Sequence, residues 1–287
     1  MIKEIIPLIS DILSDKIISS KPITGGDISS AFHLETSKGN YFLKVNNEPF
    51  ALKMFLAEQK GLSDIAATNT IAVPSVYVAE SYEDMAIILM DFIDSKRPHP
   101  ADYARFGAEL AKMHLVTNSE FGYSSNNFIG SLDQSNNENN DWADFYWSER
   151  INPQFQLALN NNLLSADEIP SKEQSISLFK QIFSNVKPSL LHGDLWGGNY
   201  LISTNGTPYL IDPAVYYGHS MVDIAMSQLF GSFGPDFYNS YHQIIPKSDF
   251  YKEEIDLYQL YYLLVHLNLF GRGYYTSVSD VMKRCFK

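Results

Sequence analysis

Three oxygen-bearing side chains stand where packing alone would not put them. In the run Leu190-Leu191-His192-Gly193-Asp194-Leu195-Trp196-Gly197-Gly198-Asn199, Asp194 precedes Asn199 by five positions. Asp212 then closes an apolar run, Tyr209-Leu210-Ile211, a short way beyond. Taken alone, a His-x-Asp pattern reads as a polar loop with a helix-capping aspartate. Asp212 changes that reading, because two carboxylates brought close together repel and a divalent cation is the usual remedy. Phosphoryl transfer uses such a set. It needs an acceptor for the proton of an attacking hydroxyl, and oxygen ligands that hold Mg²⁺ against phosphate groups. Asp194 is the candidate catalytic base, and Asn199 and Asp212 are the candidate metal ligands.

The order of these residues resembles that of protein kinases. Their catalytic loop, H-R-D-x-x-x-x-N, spaces its Asp and Asn alike and precedes a metal-binding D-F-G aspartate. The first third of the chain offers a matching nucleotide clamp. Lys44, in Tyr41-Phe42-Leu43-Lys44-Val45, alternates onto the face opposite Leu43 and Val45. A lone strand lysine is usually a solvated group, but Glu58 follows on an expected helix, in the order that lets a kinase glutamate hold its lysine towards the α- and β-phosphates. Gly25-Gly26 lies between two expected strands, where backbone amides can approach phosphate closely; the plainer reading is a hairpin turn. Asp91, with Met90 and Phe92 beside it, marks the expected hinge, where backbone groups would read adenine. ATP and Mg²⁺ are the cofactors this set calls for.

Other polar residues have structural readings. His114 packs on its helix, and spacing suggests no partner for His33 or His99. His192 braces the loop rather than acting as a base. Asp223, after His219, caps a helix or hydrogen-bonds the catalytic loop.

Positioning these groups requires strands first and helices afterwards. The sequence predicts strands at Ile17–Thr24, Ile28–Glu35 and Tyr41–Val45, turning at Gly25-Gly26 and Lys38-Gly39-Asn40. A helix at Pro49–Ala67 and strands at Ser75–Ala79 and Met85–Asp91 complete this part. Beyond Asp91 the periodicity turns helical, over Ala101–Thr117, Trp142–Asn160, Lys172–Ser184, Val222–Leu229 and Tyr251–Leu269. One β signal interrupts them, Asn199–Ser203 with Pro208–Asp212, around an Asn205-Gly206 turn. The stretch Asp133–Asp141 reads as loop, too polar for a core and too rich in Asn for a helix. The expectation is an α+β, two-lobed protein-kinase-like fold. A small antiparallel-sheet N-lobe, residues 1–91, would clamp nucleotide, and a larger helical C-lobe, 92–287, would carry catalysis and substrate.

Bulk properties narrow the partners. The net charge of −12 over 287 residues, with few scattered Lys and Arg, disfavours nucleic acid. No apolar run of about 18 residues occurs, so a membrane span is not expected. The start, Met1 to Leu13, is broken by Lys3, Glu4, Pro7, Ser10 and Asp11 and reads as a short amphipathic helix rather than a signal peptide. Cys285 is the single cysteine, which excludes an intramolecular disulfide or a cysteine-based zinc site. Together these features point to the cytoplasm.

The match extends beyond kinases in general. Leu190-Leu191-His192-Gly193-Asp194-Leu195-Trp196-Gly197-Gly198-Asn199 resembles the HGDLWSGN signature of the fructosamine kinase (ketosamine-3-kinase) family, which shares its fold with the aminoglycoside phosphotransferases. Gly25-Gly26, Phe42-Leu43-Lys44-Val45 and Ala57-Glu58 resemble its N-lobe. Phe121-Gly122 through Asn127, Gly130 and Gln134, then Trp142, Phe145, Tyr146 and Arg150, resemble its insert before the catalytic loop. Ile211-Asp212-Pro213-Ala214-Val215-Tyr216-Tyr217-Gly218-His219 and Leu267-Asn268-Leu269-Phe270-Gly271 resemble its C-terminal half. The resemblance implies ATP-dependent phosphorylation of the 3-hydroxyl of a ketosamine, free or protein-bound, by a monomer or homodimer. It implies Asp194 as base, Asn199 and Asp212 as metal ligands, and Lys44 and Glu58 as the clamp, with Trp196 and His266 on the substrate side. Three positions depart from the family pattern: Asp27 for a loop cysteine, Gly197 for Ser, and Val265 for Asn. Two other readings stay open. One is a kinase for another sugar or amino alcohol, like the aminoglycoside and choline kinases. The other is a nucleotide-binding pseudokinase, which predicts loss of at least one of Lys44, Asp194, Asn199 and Asp212; all four are present.

Overall fold

Met85–Asp91 alternates its apolar side chains between two cores, which explains its unbroken hydrophobic run. Ile87 and Leu89 join Ile5, Ile9, Leu34, Leu43 and Val45 on one face. Ala86, Ile88 and Met90 join Ala51, Phe55 and Leu62 on the other. A strand buried on both faces has no polar side to show. The computed structural model describes residues 2–23, 29–183 and 185–286. The Gly25-Gly26 candidate, and Asp27 with it, lie outside the described residues.

The N-terminal helix α1 (Ile2–Leu13) covers the first of these faces. The sheet beneath it is antiparallel, in the order β1 (Ser19–Ile23), β2 (Ser30–Glu35), β3 (Asn40–Asn46), β5 (Met85–Asp91), β4 (Val76–Tyr82). Helix α2 (Ala51–Ala67) packs on the other face through Phe55 and Leu62. Because side chains alternate along β3, Lys44 faces the α2 side while Leu43 and Val45 face α1.

Helices dominate after β5. In chain order they are α3 (Pro100–His114), α4 (Trp142–Phe145), a π-helical turn at Tyr146–Ile151, α5 (Asn152–Asn160) and α6 (Lys172–Ile182). Then come α7 (Met221–Leu229), α8 (Pro235–Ile244), α9 (Tyr251–Phe270) and α10 (Tyr275–Cys285). Three short antiparallel ribbons lie among them: β6 (Asn127–Ile129) with β7 (Leu132–Gln134), β8 (Ser189–Leu191) with β11 (Tyr216–Gly218), and β9 (Tyr200–Ile202) with β10 (Pro208–Leu210). This is the two-lobed, kinase-like α+β architecture expected from the sequence. Among the described residues no helix is long and apolar enough to cross a membrane.

The polar stretch 133–141 corrects the sequence reading. Asp133 and Gln134 belong to β7, and Gln134 and Asn136 are only 2 % and 1 % exposed. Their amides are buried because they bond one another and the backbone, which local composition does not reveal. Helices α8 and α10, and the strands β8 and β11, were not expected. The strands span three residues each, too short to show a period of two, and α8 buries only Phe237 and Tyr241.

Helices α3 and α8 cross closely at Gly107, where a Cβ would lie 2.1 Å from the Phe237 carbonyl oxygen. Overpacking of this kind costs about 1–3 kcal/mol, occasionally more, and the better helix propensity of alanine returns about 1 kcal/mol. Gly107→Ala is therefore expected to lower Tm by several degrees in thermal unfolding. An unchanged Tm would show that the two helices can separate without cost.

Candidate active site

The site is built where the two lobes face each other, at the rim of a cleft of about 1130 Å³. Its floor is the loop between β8 and β9. His192 is fully buried and uses both ring nitrogens: Nε2–H donates to the Ile211 carbonyl at 2.8 Å, and Nδ1 accepts from Asp194 N–H at 3.2 Å. Burial lowers its pKa, which fits the neutral tautomer these two bonds require. A ring with both nitrogens engaged is a brace, not a base. Asp223 on α7 holds the same loop from below, accepting from His192 N–H at 2.7 Å and Gly193 N–H at 2.9 Å. Burial opposes its ionisation, but His114, 3.1 Å away, and the loop amides outweigh that and keep the carboxyl below the usual range. Tyr262 on α9 adds a third tie, its hydroxyl donating to the Gly193 carbonyl at 2.7 Å.

Asn199 closes the loop. Its Nδ2 donates to the Asp194 carbonyl at 2.9 Å and to Asp194 Oδ2 at 3.1 Å. That leaves Oδ1 of Asn199 without a partner among the described residues. Burial, with the Asp212 carboxylate nearby, pushes Asp194 up to about 7. A carboxyl poised near neutrality suits a general base.

Asp212 follows β10 and has φ +55°, a left-handed conformation uncommon outside glycine. Its carboxylate bonds Lys44 Nζ, which also donates to Glu58 Oε1 at 2.8 Å. One ammonium thus serves two carboxylates from opposite lobes. Burial disfavours charge on Lys44, but Asp212 and Glu58 outweigh it and raise its pKa. Burial likewise opposes ionisation of Asp212, yet the lysine holds it below the ordinary carboxylate range. Glu58, more deeply buried, is pushed up to about 7. The Asp212 side chain is 42 % exposed, so it can receive a ligand from the cleft.

Two oxygen donors, on Asp212 and Asn199, match the hard-oxygen preference of Mg²⁺. Among the described residues no group of three or more His, Cys, Asp or Glu could hold a metal unaided.

A family model for fructosamine kinases matches residues 1–287. The chain belongs to the fructosamine kinase family. A chloroplastic protein-ribulosamine 3-kinase of Arabidopsis thaliana is 39 % identical over 266 residues, covering 91 % of this chain and 80 % of that protein. The mouse ketosamine-3-kinase is 31 % identical over 296 residues, covering 92 % of this chain and 93 % of its own. A crystal structure assigned as a fructosamine-3-kinase from Haemophilus somnus superposes with a TM-score of 0.88 at 25 % identity, covering 100 % of this chain and 98 % of the other.

Of the residues singled out from the sequence, Asp194, Asn199, Asp212, Lys44 and Glu58 come together, and Met90, Asp91, Phe92, Trp196 and His266 line the same cleft. The Asp91 carboxylate is engaged by the neighbouring strand segment: it accepts from Ser75 N–H at 2.9 Å and from the Tyr77 hydroxyl at 2.7 Å. The amides of Asp91 and Phe92 donate to the Ser75 and Asn40 carbonyls. Ile93 and Ser95 also line this end and carry no motif that a sequence reading could have found. Elsewhere in the cleft Phe230, Phe270 and Tyr274 surround His266, while Trp196 stays 40 % exposed. The family departure Gly197 has open space around its Cβ position.

Proposed function

We propose that this protein transfers the γ-phosphoryl group of ATP to the 3-hydroxyl of a ketosamine, a sugar joined to an amine. The observation that carries the reading is the meeting of Lys44 and Glu58 from one lobe with Asp212 from the other, beside Asp194 and Asn199, in a fructosamine kinase family member. The names of the relatives, ribulosamine 3-kinase and ketosamine-3-kinase, support the substrate class.

In this reading Asp194 accepts the hydroxyl proton as the oxygen attacks the γ-phosphorus and the bond to the β-phosphate oxygen breaks, releasing ADP. Asn199 orients Asp194, keeping Oδ2 in a fixed direction. Lys44, held by Glu58, sets the α- and β-phosphates. Asp212 and Asn199 are the residues that would hold Mg²⁺, which when bound offsets the charge that gathers on the transferring group. Trp196 and His266 would border the sugar, and backbone groups of Met90, Asp91 and Phe92 would border adenine.

The test is ATP consumption with Mg²⁺ over a panel of fructoselysine, ribuloselysine, free ribulose, an aminoglycoside and choline. Turnover confined to the two ketosamines, with phosphate on the 3-hydroxyl, is expected. Turnover only on the aminoglycoside or choline would keep the kinase chemistry and discard the ketosamine assignment.

A further inference from the structure

The buried polar residues between Asn127 and Asn136 have no task in the reaction as described above. At their centre Arg150 is fully buried, its guanidinium 3.9 Å from the Tyr216 ring centre. Its Nη1 donates to the Ser135 carbonyl at 2.6 Å and the Glu149 carbonyl at 2.8 Å, and its Nη2 to Asn136 Oδ1 at 2.5 Å. No carboxylate pairs with it among the described residues. An apolar core would fill this space at lower cost than a cation and a set of amides.

The bonds run in one direction, and the end groups force it. Arginine can only donate, so Asn136 must turn Oδ1 to Arg150 and Nδ2 away. That Nδ2 donates to Asn127 Oδ1 at 3.0 Å, and Asn127 Nδ2 in turn donates to the Val215 carbonyl at 2.8 Å. A carbonyl can only accept, so the relay ends there. Gln134 runs alongside, donating to Asn127 Oδ1 at 2.8 Å and accepting from the Tyr261 hydroxyl at 2.6 Å.

The carbonyl so held lies three residues past Asp212. A left-handed non-glycine residue persists where the chain on both sides of it is fixed. Before Asp212, Ile211 is tied at both ends, its N–H to the Asn199 carbonyl at 3.1 Å and its carbonyl to His192. After it, Ala214 N–H meets the His192 carbonyl at 2.8 Å and the relay takes Val215. The same segment receives the helix bearing Glu58. Gly61, one turn on, leaves so little room that a Cβ would lie 3.0 Å from Val215 and 3.2 Å from Pro213.

We propose that the Arg150–Asn136–Asn127 relay, with Gln134 and Tyr261 beside it, is a positioning device for Asp212. It fixes residues 213–215, and with them both the strained aspartate and the seat of the Glu58 helix. These residues touch no reacting atom. The inference rests on the metal-binding role proposed for Asp212.

Asn136→Asp separates this role from charge neutralisation. An aspartate there pairs with Arg150 better than the amide does. If Asn136 only satisfies a buried cation, the variant keeps full function. In the relay its second oxygen would instead face two acceptors, Asn127 Oδ1 and the Ser125 carbonyl, and release Val215. The readouts are AMP-PNP affinity by calorimetry with and without Mg²⁺, kcat, KM for the ketosamine, and Tm.

Residues supporting a metal ligand typically cost about 10–100-fold in metal affinity or activity when changed. A loss of about 10-fold in the Mg²⁺-dependent gain in AMP-PNP affinity and in kcat is expected, with ketosamine KM unchanged. Should Asn136→Asp fail to fold, Tyr261→Phe removes a single hydroxyl and is expected to shift the same readouts by about threefold, below that range because the hydroxyl reaches Asn127 only through Gln134. Wild-type metal dependence and kcat in folded Asn136→Asp, or in Tyr261→Phe where it is the variant used, would overturn the proposal. A wild-type protein without any Mg²⁺-dependent gain would fail differently, removing the role of Asp212 and the inference with it.

Discussion

Asp194→Asn is expected to lower kcat by about 10²–10⁴-fold, the usual contribution of a positioned base, while leaving the protein folded. The substitution is isosteric, and the oxygen of the new amide can still accept the Asn199 Nδ2 bond. Stability should move the other way from activity. Burial and the Asp212 carboxylate raise the folded pKa of Asp194 to about 7, above its unfolded value. A carboxyl shifted upward contributes stability at low pH, lost as pH rises through the folded pKa. Tm of Asp194→Asn should therefore exceed wild type at pH 8, and the difference should close by pH 5, where wild-type Asp194 is itself protonated. For wild type, kcat/KM at limiting Mg-ATP should fall on the acid side of about pH 7, because that parameter reports the free enzyme. Near-normal turnover of folded Asp194→Asn would remove Asp194 from the chemistry.

Asp212→Asn should cost about as much in activity and show the opposite stability sign. Asparagine tolerates the left-handed backbone at this position, so the loop geometry should survive. What is lost is the anionic oxygen proposed to bind the metal, and with it several kcal/mol of transition-state charge stabilisation, roughly 10³-fold in kcat. Lys44 keeps Glu58 as its partner, which protects the fold. The Lys44 ammonium holds the Asp212 pKa below its ordinary value. Such a group contributes stability above its unfolded pKa, lost as pH falls through the folded one. Tm of Asp212→Asn should thus lie below wild type at pH 7, with the gap narrowing in acid. Retained kcat with unchanged Mg²⁺ dependence would show that the metal is held elsewhere.

The chemistry-bearing pattern was legible because it is local. Asp194 and Asn199 lie on one turn of chain, and Asp212 announces itself by ending an apolar strand. The alternation in β3 and β5 told which face Lys44 takes, since side chains on a strand alternate with period two. The Asn205-Gly206 turn gave the β9–β10 hairpin for the same local reason. Where the signal was weak, so was the reading: three-residue strands carry too little periodicity, and the Asn-rich stretch 133–141 looked like solvent-exposed loop.

The sequence by itself determined the residue types of the site, their order and the elements that carry most of them. Only the tertiary structure decided which groups meet. Lys44 and Asp212 are 168 residues apart, and their ion pair exists because the two lobes face one cleft. Asp223, rather than capping its helix, serves the loop that carries Asp194 because α7 packs beneath that loop. Gln134 and Asn136 are buried because Arg150, Tyr261 and two backbone carbonyls satisfy them from distant positions. Periods of 2.0 and 3.6 residues encode the face a side chain takes. They carry nothing about the partner waiting on the other side, because that depends on how whole elements pack.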